Sequence, residues 1–198
     1  MPKILYSPAS PYSAKVRMAA THLGLKFDSQ IVDTAAEPEI LIANNPLGKI
    51  PVLITDEGQS VCDSRAIMQY LDRVSGKKLF PRNAEKRTAA EVLEAMSDGI
   101  SDCLLAHVYE RRSRPAEMVQ QAWLGKQWAK AMRGLDALEA NPPKTGKSPH
   151  GGHLALRAML GYASLRFGGL WEKDHKKLVR WTKAFDAKFP ELAGLRPQ

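Results

Sequence analysis

Lys3-Ile4-Leu5-Tyr6-Ser7-Pro8-Ala9-Ser10-Pro11-Tyr12-Ser13-Ala14-Lys15-Val16 is the stretch on which the fold turns. Lys3 to Tyr6 is a short apolar run stopped by Ser7-Pro8, the pattern of a strand. Beyond it, Val16, Ala19, Ala20 and Leu23 recur at helical spacing, and Gly24 supplies a stop. Ser10 before Pro11 occupies the places where an N-cap and a first helical residue belong. The stretch reads as strand, hydroxyl-bearing turn, helix.

Working outward, Phe27 to Val32 is a second strand, and a short helical piece follows near Glu39 to Ala43. The turn-rich Asn44-Asn45-Pro46-Leu47-Gly48 leads to a third strand at Pro51 to Ile54. Asp56-Glu57-Gly58 closes a hairpin onto a fourth, Gln59 to Cys62. Asp63-Ser64 then opens a helix with Ile67, Met68, Tyr70 and Leu71 on its apolar side. The order β-α-β-α-β-β-α implies a mixed sheet with helices on both faces, and suits a thioredoxin-like α/β domain over residues 1–80. Lys77 to Pro81 breaks the pattern as a linker. From there on the reading is helical, giving an all-α C-terminal domain over 86–198. Val92, Met96, Ile100, Cys103, Leu104, Leu105 and Val108 form one stripe between Thr88 and Arg112. Pro115 is expected to start a second long helix reaching about Glu139, Asn141–Gly152 to be a loop, and two helices near 154–167 and 173–189 to finish a bundle.

A chain of 198 residues, 44% hydrophobic and 25% charged, has the composition of an ordinary soluble globular protein. No apolar run approaches the ~18–20 residues that cross a bilayer, and residues 1–6 lack a signal peptide's pattern. Cys62 and Cys103 form no CxxC pair, which argues against a disulfide framework and for a reducing, cytoplasmic setting. The net charge of +8 is uneven. Residues 1–80 hold 9 Lys+Arg against 8 Asp+Glu, and the remainder 20 against 13, an excess of +7 in the helical part. Short basic groups interleaved with acids read as a solvated helical surface more readily than as a nucleic-acid site.

Three local signals carry chemistry. At Ser10-Pro11-Tyr12-Ser13, hydroxyls stand at the spacing of a CxxC dithiol, so dithiol exchange is excluded there. A hydroxyl donor beside a helix N-terminus suits holding another molecule's thiolate. Lowering a thiol pKa from near ~8.5 by about two units takes ~2.7 kcal/mol. A hydrogen bond to a charged acceptor gives roughly 1.5–3 kcal/mol, and a helix N-terminus adds about 0.3–1. The bland alternative is that Ser10 only caps the helix.

The second signal is Asn45-Pro46-Leu47-Gly48-Lys49-Ile50-Pro51-Val52-Leu53. A cis Ile50–Pro51 bond would turn the Ile50 N–H and C=O toward an extended peptide ligand; a plain turn with a trans proline is the alternative. In the third, Asp63-Ser64-Arg65, the Ser64 hydroxyl and the free N–H groups at the helix start suit a ligand carboxylate, and Asp63 a ligand ammonium. Ordinary capping is the competing reading.

Taken together, in this order and at these spacings, the three segments resemble the glutathione transferase family over essentially the whole chain. Ser-Pro-Tyr-Ser-Ala-Lys-Val-Arg is similar to the loop and helix of its serine-type bacterial, zeta-like and theta-like members. The resemblance implies that Ser10 hydrogen-bonds the glutathione sulfur and that Ile50, before Pro51, pairs its backbone with the cysteinyl part. It implies that Asp63 and Ser64 hold the γ-glutamyl group, with Lys49 a candidate for the glycyl carboxylate. It further implies a homodimer in which Asp98 or Asp102 reaches the partner's γ-glutamyl group, although either is equally a solvated helix acid. Tyr12 is an alternative thiol contact, and Tyr109 and Arg112 are candidates for the wall around a small apolar electrophile. The resemblance also implies glutathione as co-substrate, with no metal.

One departure from the family pattern stands out. Where many relatives carry a Ser/Thr-x-x-Asp capping box, this chain has His150-Gly151-Gly152-His153, read as a flexible loop lacking the other ligands of a metal site. Trp123, Trp128, Trp171 and Trp181 read as core or interface residues. The expected activity is conjugation of glutathione, with glutathione-dependent isomerase, dehalogenase or peroxidase chemistry as variants. The competing reading is a non-catalytic relative that binds a protein or nucleic acid through the basic helical part.

Overall fold

The computed structural model describes residues 1–198. Four strands, β1 (Lys3–Tyr6), β2 (Asp28–Ile31), β3 (Val52–Ile54) and β4 (Ser60–Val61), form one sheet in the order β2-β1-β3-β4. β1 and β2 are parallel, whereas β3 runs antiparallel to both β1 and β4. Helices α1 (Pro11–His22), α2 (Glu39–Asn44) and α3 (Ser64–Val74) complete the β-α-β-α-β-β-α order of a thioredoxin-like unit. Helices α4 (Ala84–Ser113), α5 (Gln121–Ala140), α6 (Gly151–Phe167), α7 (Lys176–Lys188) and α8 (Pro190–Ala193) make up the helical part. No helix is long and apolar enough to cross a membrane.

The sheet register decides where the loops gather. Leu5 pairs with Val52, and Leu53 pairs with Val61. Residues 7–10 after β1, 49–51 before β3 and 62–64 after β4 therefore meet at one end of the sheet. All three chemistry-bearing segments of the sequence come together there.

One cluster of 30 buried apolar residues runs from Ile4 and Val16 through Met68, Phe80 and Leu104 to Leu192, so both parts share one interior. Helix α6 is at its centre: every residue from Gly151 to Ala163 is buried, as expected for a helix packed on all sides. Leu5, Val32, Leu41 and Val52 form a smaller core beneath α2 on the opposite sheet face. The connection between the two parts is not slack. Buried Asp72 of α3 accepts the Leu79 and Phe80 N–H groups, each at 3.0 Å, and the Arg87 guanidinium at 3.0 Å.

Two segments differ from the sequence expectation. Pro115 does not start the second long helix: a 3-10 turn, Ala116–Met118, intervenes and α5 begins at Gln121. Val119 is extended there, and Glu110 holds the Gln120 N–H at 3.1 Å, separating turn from helix. The His150–His153 segment is a packed helix start, not a flexible loop. The His150 N–H donates to His153 Nδ1 at 3.2 Å, so a histidine does the work of the missing box acid. The two rings stack with centroids 3.6 Å apart. A Cβ at Gly151 would lie 2.3 Å from Phe80 Cζ, and one at Gly152 2.4 Å from the Ala90 carbonyl oxygen. Glycine is what lets α6 approach the connection and α4 this closely. Among the tryptophans, Trp171 and Trp181 are buried, while Trp123 is 39% exposed.

Candidate active site

Ser10 is the N-cap of α1. Its Oγ accepts the Ser13 N–H at 3.2 Å, while its own proton is donated to no group of the chain. A filled cap acceptor and an unused donor thus coexist in one hydroxyl. Ser13, the other hydroxyl at dithiol spacing, is fully buried and closed away from the turn.

Across the loop end of the sheet, Ile50–Pro51 is cis, and neither the N–H nor the C=O of Ile50 has a partner within the chain. The turn before it is organised by buried Asn45, which the sequence reading did not single out. Asn45 Nδ2 donates to the Lys49 carbonyl at 2.8 Å, and its Oδ1 accepts the Leu47 N–H at 3.1 Å. An asparagine ahead of Pro-Leu-Gly is the signal that could have found it. Lys49 is exposed and forms no ion pair.

At the third loop, exposed Asp63 caps α3: Oδ1 accepts the Arg65 N–H at 2.9 Å, and Oδ2 is unpaired. Ser64, buried at the first position of α3, makes no side-chain hydrogen bond. The site end therefore offers a hydroxyl proton, one backbone N–H and C=O pair, a half-used carboxylate and a helix N-terminus.

Helix α4 supplies a stripe of acids that grips the sheet-bearing part. Glu94, Asp98 and Asp102 stand four residues apart on one face. Lys15 of α1, 1% exposed, donates to Glu94 Oε1 at 2.9 Å and to Asp98 Oδ2 at 2.6 Å. Arg65 of α3 donates through Nε to the same Asp98 oxygen at 3.1 Å. The Tyr12 hydroxyl donates to Asp102 Oδ1. Asp98 is thus buried, with both carboxylate oxygens engaged by Lys15 and Arg65 of its own chain. Asp102 is exposed. Burial pushes the Glu94 carboxyl up against the pull of Lys15. Burial and the Asp102 hydrogen bond push the Tyr12 phenol well above its ordinary range, so it is a neutral hydroxyl committed to Asp102.

Tyr109 and Arg112 follow on the face of α4 that carries Asp98 and Asp102, with the Arg112 Cζ 5.5 Å from the Tyr109 ring centre. Tyr109 also borders a crevice of about 410 Å³ with Glu110, Arg114 and Trp123, between α4 and the start of α5. No group of three His, Cys, Asp or Glu side chains is placed to hold a metal ion.

Residues 5–78 match the family model described as "Glutathione S-transferase, N-terminal domain". Over 139 residues the chain is 33% identical to the Uncharacterized GST-like protein YibF of Escherichia coli, covering 69% of this chain and 68% of that protein. A glutathione S-transferase from Methylobacillus flagellatus, solved with GSH bound, is 36% identical with a TM-score of 0.88, over 98% of this chain and 99% of its own. A glutathione transferase family member from Pseudomonas fluorescens, with bound glutathione, is 31% identical with a TM-score of 0.89 over 100% of both chains.

Proposed function

Since the chain belongs to the glutathione S-transferase family, we propose that it binds reduced glutathione at the loop end of its sheet and conjugates it to small electrophiles. The observation that carries this reading is Ser10: its oxygen is held by the helix cap while its proton is free to donate to a sulfur. Relatives solved with glutathione bound support a glutathione site here. Glutathione lies extended across the sheet end, with its cysteinyl backbone on the Ile50 N–H and C=O beside Pro51. Asp63 Oδ2 receives the γ-glutamyl ammonium, Ser64 and the α3 N-terminus its carboxylate, and Lys49 the glycyl carboxylate.

Ser10 O–H and the α1 N-terminus favour the thiolate, and the sulfur attacks the electrophile without a metal. Tyr12, tied to Asp102, shapes the electrophile side instead of activating the thiol, and Tyr109 and Arg112 continue that wall. The protein acts in the cytoplasm as a homodimer, in which exposed Asp102 is the α4 acid able to face the partner's γ-glutamyl group. Isomerase, dehalogenase or peroxidase chemistry would use the same thiolate.

Isothermal titration with reduced glutathione tests the site. Saturable binding that is lost in an Asp63→Ala/Ser64→Ala double mutant is the expected result. A wild-type protein that stays silent up to several millimolar glutathione would overturn the proposal.

A further inference from the structure

The turn that carries Ser10 is tied down by a segment far away in sequence. Residues 7–10 form a tight turn in which the Ser10 N–H donates to the Ser7 carbonyl at 3.1 Å, and the Ser10 carbonyl accepts the Ala14 N–H at 3.0 Å. Both bonds stay inside the strand–turn–helix unit. The hydrogen bond that reaches the turn from elsewhere comes from the Gln198 N–H, which donates to the Pro8 carbonyl at 3.1 Å. Pro8 and Pro11 have no N–H to give, so the turn makes few bonds of its own. The Pro8 carbonyl has no other partner.

The segment that supplies this N–H is held in shape. After α8, Arg196 Nη1 donates to the Ala193 carbonyl at 2.9 Å and Gln198 Nε2 to the Gly194 carbonyl at 2.8 Å, so residues 194–198 fold back on themselves. Pro197 is buried between exposed Arg196 and Gln198. It lies on Gly161 of α6, where an added Cβ would come 2.8 Å from Pro197 Cδ and 3.3 Å from Arg196 Cβ. Glycine is disfavoured inside a helix. Here its missing side chain lets the segment cross α6 to reach the turn. Helix α8, with Leu192 wholly buried, also packs on α1. The Gln198 N–H therefore meets Pro8 from a base that α1, α6 and α8 share.

We propose that residues 195–198 are a strap that positions Ser10 for the bound thiol, with the Gln198 N–H as the positioning group. The inference rests on the thiol-donor role proposed for Ser10. A turn closed by one bond of its own leaves its middle residues free to rotate, and rotation at Pro8 and Ala9 redirects Ser10. The cap bond from Ser13 restrains the Ser10 oxygen from one side only. Anchoring Pro8 restrains it from the other.

The test compares Gln198→Pro, which removes the N–H, with Gln198→Ala, which keeps it and loses the same side-chain bond to Gly194. Titrating the ultraviolet thiolate absorbance of reduced glutathione bound to the full chain gives the pH at which its thiol ionises. Gln198→Pro is expected to raise that pH by about half a unit or more, roughly a threefold loss of thiolate near neutrality, with affinity measured below that pH within about twofold of wild type. Gln198→Ala is expected to ionise bound glutathione where the wild type does. In a Ser10→Ala background, adding Gln198→Pro should raise the pH no further. If Ser10→Ala raises it and Gln198→Pro does not, even with a lowered melting temperature, the strap is overturned and Ser10 keeps its role. If neither raises it, both are overturned.

Discussion

Lys15 Nζ on α1 and the carboxylate of Asp98 on α4 meet at 2.6 and 2.9 Å, both side chains almost wholly out of solvent, 83 residues apart in sequence. Arg65, next to Ser64 at the start of α3, binds the same carboxylate. One acid thus ties together the helix capped by Ser10 and the helix that begins at Ser64. Removing one member leaves uncompensated charge in the interior, which typically costs 3–5 kcal/mol. Asp98→Ala should lower stability by about 3 kcal/mol or more in urea denaturation. A Lys15→Met/Glu94→Gln/Asp98→Asn triple mutant should recover most of that loss. An Asp98→Ala protein with an unchanged midpoint would disprove the account.

Ser10 caps α1 and, in the proposed reaction, donates to the sulfur, and different substitutions separate the two. Ser10→Ala removes both the cap acceptor and the free proton. It should lose about 1 kcal/mol of stability, and kcat/KM at neutral pH should fall roughly ten- to a hundredfold, about 1.4–2.7 kcal/mol. Ser10→Asp keeps a cap acceptor but offers no proton to a sulfur at neutral pH, so it should keep stability and still lose activity. A pH–rate profile unmoved by Ser10→Ala would remove the thiolate role.

The helix start at Gly151 and Gly152 should tolerate no side chain. Gly152→Ala places a methyl 2.4 Å from a backbone carbonyl of α4, and overpacking of this kind costs about 1–3 kcal/mol or more. Gly125, exposed on α5 with nothing within 4 Å of an added Cβ, is the control. Gly125→Ala should stabilise by about 0.5–1 kcal/mol. Thermal melts of the two variants should move in opposite directions.

His150 and His153 make the same place sensitive to acid. Burial holds His150 down to about 4 and His153 down to about 3. Both values lie below the ordinary 6.5 of an unfolded histidine, so as pH falls below 6.5 the unfolded chain takes up protons that the folded chain refuses. Stability is therefore complete above pH 6.5 and declines from there toward the folded values, by at most about 1.4 kcal/mol per pH unit for each ring. Urea midpoints between pH 7 and 5 should fall more steeply for the wild type than for a His150→Asn/His153→Gln variant; parallel lines would rule the pair out.

The parts of the fold that could be read from sequence are those governed by neighbours in the chain. The Lys3–Tyr6 strand, the Ser-Pro stop and the Val16/Ala19/Ala20/Leu23 spacing all act within a few residues, and the element order of the first eighty residues follows from such patterns. The ion-pair stripe was not legible. Glu94 and Asp98 look like ordinary acids on an exposed helix edge, and only the docking of α1, 79 and 83 residues away, buries them. His-Gly-Gly-His reads as a loop because glycine lowers local helix propensity, yet the close approach of Phe80 and Ala90 requires it. Pro115 is a good helix opener in isolation, but Glu110 captures the Gln120 N–H and delays the start.

The shared interior bears on how such a chain can be recombined. Linker residues 77–81 look like a place to exchange one half for a relative's, but Leu79 and Phe80 lie inside the core cluster that α6 occupies. A hybrid joined there would inherit an α1 shaped for one α6 and an α6 shaped for another α1. It would also inherit an acidic stripe whose basic partners belong to a different parent. Crossing over at this linker keeps the two halves continuous in sequence and mismatches them in packing, so a change on one side of the seam calls for a matching change on the other.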